Sequence, residues 1–146
     1  MSLKPCNTLI EVDRKRYSLR LWKRDLFDME FEQVKRYPVA IGMQGYGTPA
    51  GFYCVQKKGK NVDWRMPDSE WVQPPELRGT IVPGGDPANP IVARWIQLTS
   101  NGVGIHGTRD DDSIGHRASH GCVRMHVDDV VDLYDRVPRG TIVHVL

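Results

Sequence analysis

Between His106 and His126 the chain gathers His106, His116, Ser119, His120, Cys122, Arg124 and His126, with Asp110, Asp111 and Asp112 inside the same stretch. Four of its five histidines fall here. A thiol with an ordinary pKa of roughly 8.5 is only a few per cent thiolate at neutral pH, so a nucleophilic cysteine needs a base or a positive potential beside it. His106 stands sixteen residues before Cys122, at the expected end of a strand, where a loop can return its ring against the thiol. Gly107 permits that tight approach, and Gly121 leaves the neighbouring amides unobstructed, so that backbone N–H groups around Gly121 and Cys122 can form an oxyanion hole. Because Ser119-His120-Gly121-Cys122-Val123-Arg124 runs directly into a helical pattern, the spacing predicts the thiol at a turn or a helix start.

Each of these residues also has a plainer role. Ser119 and His120 can orient the loop by hydrogen bonding without touching substrate. Arg124 offers a fork of donors to a substrate carboxylate, or forms a structural ion pair with an aspartate. His116 and His126 are expected to be exposed or structural, and the three aspartates to be a solvated loop. Cys6 and Cys54 are expected to be small buried hydrophobes. Two rival chemistries remain at this point: a zinc site drawn from His106, His116, His120, Cys122 and His126, and a wall-binding module with a silent active site.

The elements that must carry these side chains are mostly strands. Thr8 to Val12 and Tyr17 to Trp22 read as a hairpin around the polar turn Asp13-Arg14-Lys15-Arg16, with Tyr17, Leu19 and Leu21 on one face. Further strands are predicted from Arg36 to Ile41, Phe52 to Gln56, Ile91 to Leu98, Gly102 to His106 and Thr141 to Leu146. Residues 42–51 are turn-rich. Gln56 to Pro90 lacks sustained periodicity and reads as a long loop, in which Trp64 and Trp71 either pin it to the body or line a substrate cleft. Val127, Val130, Val131, Tyr134 and Val137 keep a helical spacing, with Asp128 and Asp129 near the start and Pro138 and Gly140 at the exit. The sum is a mainly β, compact sandwich or barrel-like core with one short helix after the Cys motif.

The rest of the composition narrows the function classes. The 146 residues amount to one ordinary domain, and 40% hydrophobic with 26% charged residues is a globular composition. Twenty Lys plus Arg against eighteen Asp plus Glu leaves a net charge of +2, too balanced for a nucleic-acid footprint. Apolar runs fall far short of the roughly 18 residues of a spanning helix, so no membrane insertion is expected of this chain. Three scattered cysteines argue against a disulfide scaffold. Residues 1–7 read as an N-terminal tail or a cloning remnant, with one domain over residues 8–146, and a monomer is expected.

Ile105-His106-Gly107-Thr108 followed by Ser119-His120-Gly121-Cys122-Val123-Arg124-Met125 resembles the active-site signature of the L,D-transpeptidase catalytic domain, the YkuD-like family. Thr48-Pro49-Ala50-Gly51-Phe52 resembles that family's Thr-Pro-x-Gly-x-Phe segment, and Ala88-Asn89-Pro90 precedes an apolar strand as in the family; the likeness spans most of residues 8 to 146. It implies the family's β fold, with Cys122 as nucleophile and His106 as its base. It also implies that the partners are peptidoglycan stem peptides, donor and acceptor, and that no metal or organic cofactor takes part. Cys122 would expel terminal D-alanine from a tetrapeptide through a thioester, and an amine would resolve it as a 3→3 cross-link; hydrolysis, as a carboxypeptidase or amidase-like enzyme, is the alternative on the same site. An extracytoplasmic or periplasmic location follows from the resemblance, although no signal segment is visible. The sequence departs from the family at Ile91-Val92-Ala93-Arg94, where many relatives place Leu-Gly, and in the Trp-containing segment before it, which reads as a cap on the cleft.

Overall fold

The computed structural model describes residues 7–100 and 102–146. Cys6 lies outside them, as does most of the expected N-terminal tail. Strands β1 (Thr8–Asp13) and β2 (Ser18–Arg24) form the predicted hairpin, paired from Thr8 opposite Lys23 to Asp13 opposite Ser18. Its basic turn is structural. Asp13 Oδ1 accepts the N–H groups of Lys15 and Arg16, Arg16 pairs with Asp13 at 3.0 Å, and Arg14 donates to the carbonyls of Leu146 and Thr48. Leu19 and Leu21 turn inward as their alternation requires, whereas Tyr17 has left the strand at φ 51° and packs only partly on the core.

Strand β3 (Phe31–Gly42) is five residues longer at its start than the sequence predicts, and β4 (Gly51–Lys60) runs past the expected end at Gln56. The first six residues of β3 are exposed, so no buried face betrays them in the sequence. Residues 61–91 are not a structureless loop. They carry a small antiparallel pair, β5 (Trp64–Arg65) with β6 (Ile81–Val82), and a short 3₁₀ turn at Pro75–Leu77 between them. The buried Asn89 ties this excursion down: its side-chain amide donates to the carbonyls of Val62, Val82 and Pro83, and its Oδ1 accepts the Ile91 N–H at 2.9 Å.

Strands β7 (Val92–Leu98), β8 (Gly104–Thr108) and β11 (Ile142–Val145) match the predicted apolar runs to within two residues at most ends. Two short strands that the sequence reading does not predict, β9 (Arg117–Ser119) and β10 (Val123–His126), both lie within the reactive stretch. The sheet runs β10-β8-β7-β4-β11-β1-β2-β3-β9, and β10 also pairs antiparallel with β3, Arg124 opposite Ala40, which closes eight strands into a barrel. The ninth, β9, takes over the edge of β3 where β2 stops. The N–H groups of Val39, Ile41 and Met43 bond in turn to the carbonyls of Tyr17, His116 and Ser119. Ile10, Leu19, Val39, Ile96, Ile105, Val123, Met125 and Val143, all fully buried, fill the core.

The one α-helix among the described residues, α1 (Val127–Arg136), begins and ends where the aspartates and Pro138 predict. It lies against β7, β8 and β10. Val130, Leu133 and Val137 are its buried anchors, and Leu133 takes the inward position that the sequence reading gave to Val131 and Tyr134, both half-buried. A mainly β fold with one short helix is therefore what the chain adopts. No helix among the described residues is long and apolar enough to cross a membrane.

Candidate active site

The parallel pairing of β8 with β10 is what assembles the site. Val123 lies opposite Ile105, Arg124 opposite His106 and Met125 opposite Gly107. Side chains alternate across a strand, so with Ile105, Val123 and Met125 fully buried in the core, His106 and Arg124 emerge on the other face. One residue further back, the same register sets Cys122 beside Gly104, whose N–H bonds the sulfur. His106, Cys122 and Arg124 thus line one cleft of about 580 Å³, together with Ser119, His120 and Gly102. Cys122 sits at a bend just before a strand, in line with the turn alternative of the expectation and not with a helix start, since the helix begins only at Val127 after His126.

Gly107 serves the site twice. Its carbonyl accepts a hydrogen bond from His106 Nδ1 at 2.8 Å, which leaves Nε2 of the neutral ring as the proton acceptor. It also carries no Cβ, which would stand 2.5 Å from the Val92 carbonyl and 3.0 Å from Val130 Cγ1. That carbonyl is pushed inward by a bulge in β7, between Val92 and Trp95, where Ala93 is held at φ 65°. The sequence departure at Ile91-Val92-Ala93-Arg94 therefore places an alanine where the backbone favours glycine.

The loop before Cys122 is clamped from both sides. Ser119 Oγ donates to the Cys122 carbonyl at 2.5 Å and accepts the Gly121 N–H at 3.2 Å. The buried Thr48 donates from Oγ1 to the Gly121 carbonyl at 2.8 Å while accepting the Gly42 N–H at 3.0 Å. Gly121 adopts φ 125°, which a side chain would strain. Thr48 is a site-shaping residue that composition and spacing did not single out; its place in the Thr-Pro-Ala-Gly-Phe segment was the available signal. The Gly121 N–H is engaged by Ser119, which modifies the expectation that this amide is open to an oxyanion.

Burial dominates the electrostatics. Desolvation pushes the His106 pKa down to about 4, the Gly107 carbonyl opposing and the Arg124 charge reinforcing the shift. Desolvation also pushes the Cys122 thiol up, against the Gly104 N–H and Arg124, and its sulfur donates to the Gly102 carbonyl at 3.5 Å. Both shifts favour the neutral thiol and the neutral imidazole, so chemistry at this sulfur would have to move its proton. His120, lowered by desolvation and then by Arg124, stacks on Trp71 with centroids 3.7 Å apart and planes 10° apart, and meets the edge of Tyr46 at 5.0 Å.

The remaining polar residues stand apart. His126 Nδ1 pairs with Asp111 at 2.7 Å, and His116 is exposed. No carboxylate among the described residues pairs with Arg124, which leaves its guanidinium to the cleft. Among the described residues, His106, His116, His120, Cys122 and His126 form no group of three ligand atoms within 4.8 Å, so the zinc arrangement is not assembled. Cys54 is half-buried on β4 and away from the cleft lining, not fully enclosed as expected.

With this geometry in hand, comparison with known proteins is informative. The family model of the L,D-transpeptidase catalytic domain, YkuD, matches residues 7–145. The putative L,D-transpeptidase YqjB of Bacillus subtilis is 38% identical over 121 residues, covering 80% of this chain and 60% of that protein. The probable L,D-transpeptidase ErfK/SrfK of Escherichia coli is 34% identical, covering 77% of this chain and 37% of the relative. This chain thus spans 60% or less of the length of these relatives. An L,D-transpeptidase structure from Enterococcus faecium superposes with a TM-score of 0.72 at 23% identity, over 96% of this chain and 50% of that one. One from Mycobacterium smegmatis gives 0.69 at 20% identity, over 96% and 58%. At such identities the likeness is one of fold.

Proposed function

Since this chain belongs to the L,D-transpeptidase catalytic-domain family, we propose that it is a cysteine-dependent acyltransferase acting on peptidoglycan stem tetrapeptides outside the cytoplasm. The observation that carries this reading is the β8–β10 register, which presents His106, Cys122 and Arg124 on one face of one cleft. His106 Nε2 takes the thiol proton as Sγ adds to the carbonyl preceding the terminal D-alanine. The Cys122 N–H, in the loop clamped by Ser119 and Thr48, faces the developing oxyanion, and Arg124 pairs with a stem carboxylate. Collapse breaks the C–N bond, the imidazolium returns its proton to the leaving amine, and a thioester remains on Cys122. An acceptor amine then adds to the thioester and gives a proton to His106, and collapse breaks the C–S bond; His106 returns that proton to the leaving sulfur, which leaves a 3→3 amide and the neutral starting pair.

The test is mass spectrometry of the protein mixed with a disaccharide-tetrapeptide, with Cys122→Ala alongside. Cross-linked dimers, released D-alanine and a thioester adduct absent from the variant are expected. Tripeptide without dimers would reassign the site to hydrolysis. Unchanged turnover in Cys122→Ala would end the proposal.

A further inference from the structure

The cleft holds more than the proposed chemistry uses. Across it from Cys122 stands the excursion between β4 and β7, which contributes Trp64 and Trp71, and these two rings are nearly parallel, with planes 18° apart and centroids 6.5 Å apart. Neither ring has a part in the chemistry proposed above. Trp71 is buttressed by its stack on His120. Asp63 and Arg65 are the chain neighbours of Trp64 at the start of the small β5–β6 pair, and all three line the cleft. Each flanking side chain is fixed by a backbone bond on the side of the excursion: Asp63 Oδ1 accepts the Gly84 N–H at 2.9 Å, and Arg65 Nη1 donates to the Gly79 carbonyl at 2.8 Å. The second carboxylate oxygen and the remaining guanidinium N–H groups are left for a ligand.

An aromatic face bordered by held planar polar groups suits a ligand with one apolar C–H face and a rim of hydroxyls, which is the pattern of a pyranose ring. We propose that Asp63, Trp64 and Arg65 form a saccharide subsite that seats an N-acetylated hexopyranose of the glycan strand bearing the donor stem. The ring lies on Trp64, with its hydroxyl and acetamido groups on Asp63 and Arg65. The identity of the glycan rests on the proposed function; the site itself does not. It gives the excursion a role in recognition, and it gives the Trp-containing departure from the family pattern a chemical reason.

The experiment is a titration of the intact chain with the tetramer of N-acetylglucosamine, followed by the tryptophan indole N–H resonances and by fluorescence. The tetramer of glucose, which lacks the acetamido groups, is the control. Expected is a saturable shift of the Trp64 resonance with the acetamido sugar, at least tenfold weaker with the glucose tetramer, and weakened at least tenfold in Trp64→Ala. Should Trp64→Ala fail to fold, Arg65→Ala and Trp64→Phe replace it, the first losing most affinity and the second keeping part of it. No perturbation in the wild-type protein, or equal affinity in Trp64→Ala or Arg65→Ala, overturns the subsite. Sugar binding without any thioester on Cys122 would sink the transpeptidase reading and leave the subsite standing; a thioester without sugar binding would do the reverse.

Discussion

Thr48→Val is the most revealing single change, because it keeps the shape of a buried side chain and deletes one hydroxyl. Thr48 is 2% exposed, and its Oγ1 both accepts the Gly42 N–H and donates to the Gly121 carbonyl. Valine leaves a backbone donor and a backbone acceptor without that partner, where water cannot easily replace it. A buried polar group stranded in this way costs about 1–3 kcal/mol. Two such groups with partial relaxation give an expected loss of about 3 kcal/mol, or a fall in Tm of about 6–12 °C for a domain of this size. Gly42 is closely packed, since a Cβ there would stand 2.0 Å from the Tyr46 carbonyl, which leaves little room for a replacement partner. The same bond fixes the carbonyl just before Cys122, so acylation should fall at least tenfold while substrate affinity changes little. Thermal denaturation and single-turnover acylation measure the two effects, and Thr48→Ser, which restores the hydroxyl, should recover most of both. If Thr48→Val melts within 2 °C of the wild type and acylates at the same rate, the clamp is not what holds the nucleophile's loop.

Three further predictions follow from the site. Because His106 in the folded state titrates near 4 while an unfolded histidine titrates near 6.5, the unfolded chain binds the extra proton between those values; stability should fall as pH drops from 6.5 to 4, by about 3 kcal/mol in all, and His106→Asn should remove that slope in denaturant titrations. Ala93→Gly should stabilise the chain by about 0.5–1 kcal/mol, since it relieves a left-handed alanine at the β7 bulge, and a lower denaturation midpoint in the variant would refute the strain. Gly107→Ala should cost about 1–3 kcal/mol through its clash with the Val92 carbonyl and Val130, and should also slow thiol acylation because the carbonyl that orients His106 shifts; an unaltered rate would separate Gly107 from the orientation of the ring.

Local pattern determined a good part of this protein. Alternation over Leu19 and Leu21, the apolar runs of β7 and β11, and the helical spacing closed by Pro138 each needed only neighbours in the chain to be read. That His106 and Cys122 line one cleft was legible because the signature around them is short and chemically unusual. What stayed hidden depends on partners far away in sequence. Strand β10 is four residues inside a motif, and it is a strand only because β8 and β3 lie on either side of it. The start of β3 is exposed, so no apolar face marks it. The work of Thr48, 73 residues from Gly121, and of Asn89 beneath the excursion appears only when carbonyls from distant segments converge on one side chain. Tertiary burial also decided the resting charge of the site. The sequence places a base and a thiol together and suggests an activated thiolate, but desolvation at the floor of the cleft favours both neutral forms over the ion pair. Residue types and spacing name the chemistry; strand register and burial set which face it occupies and which protons it holds.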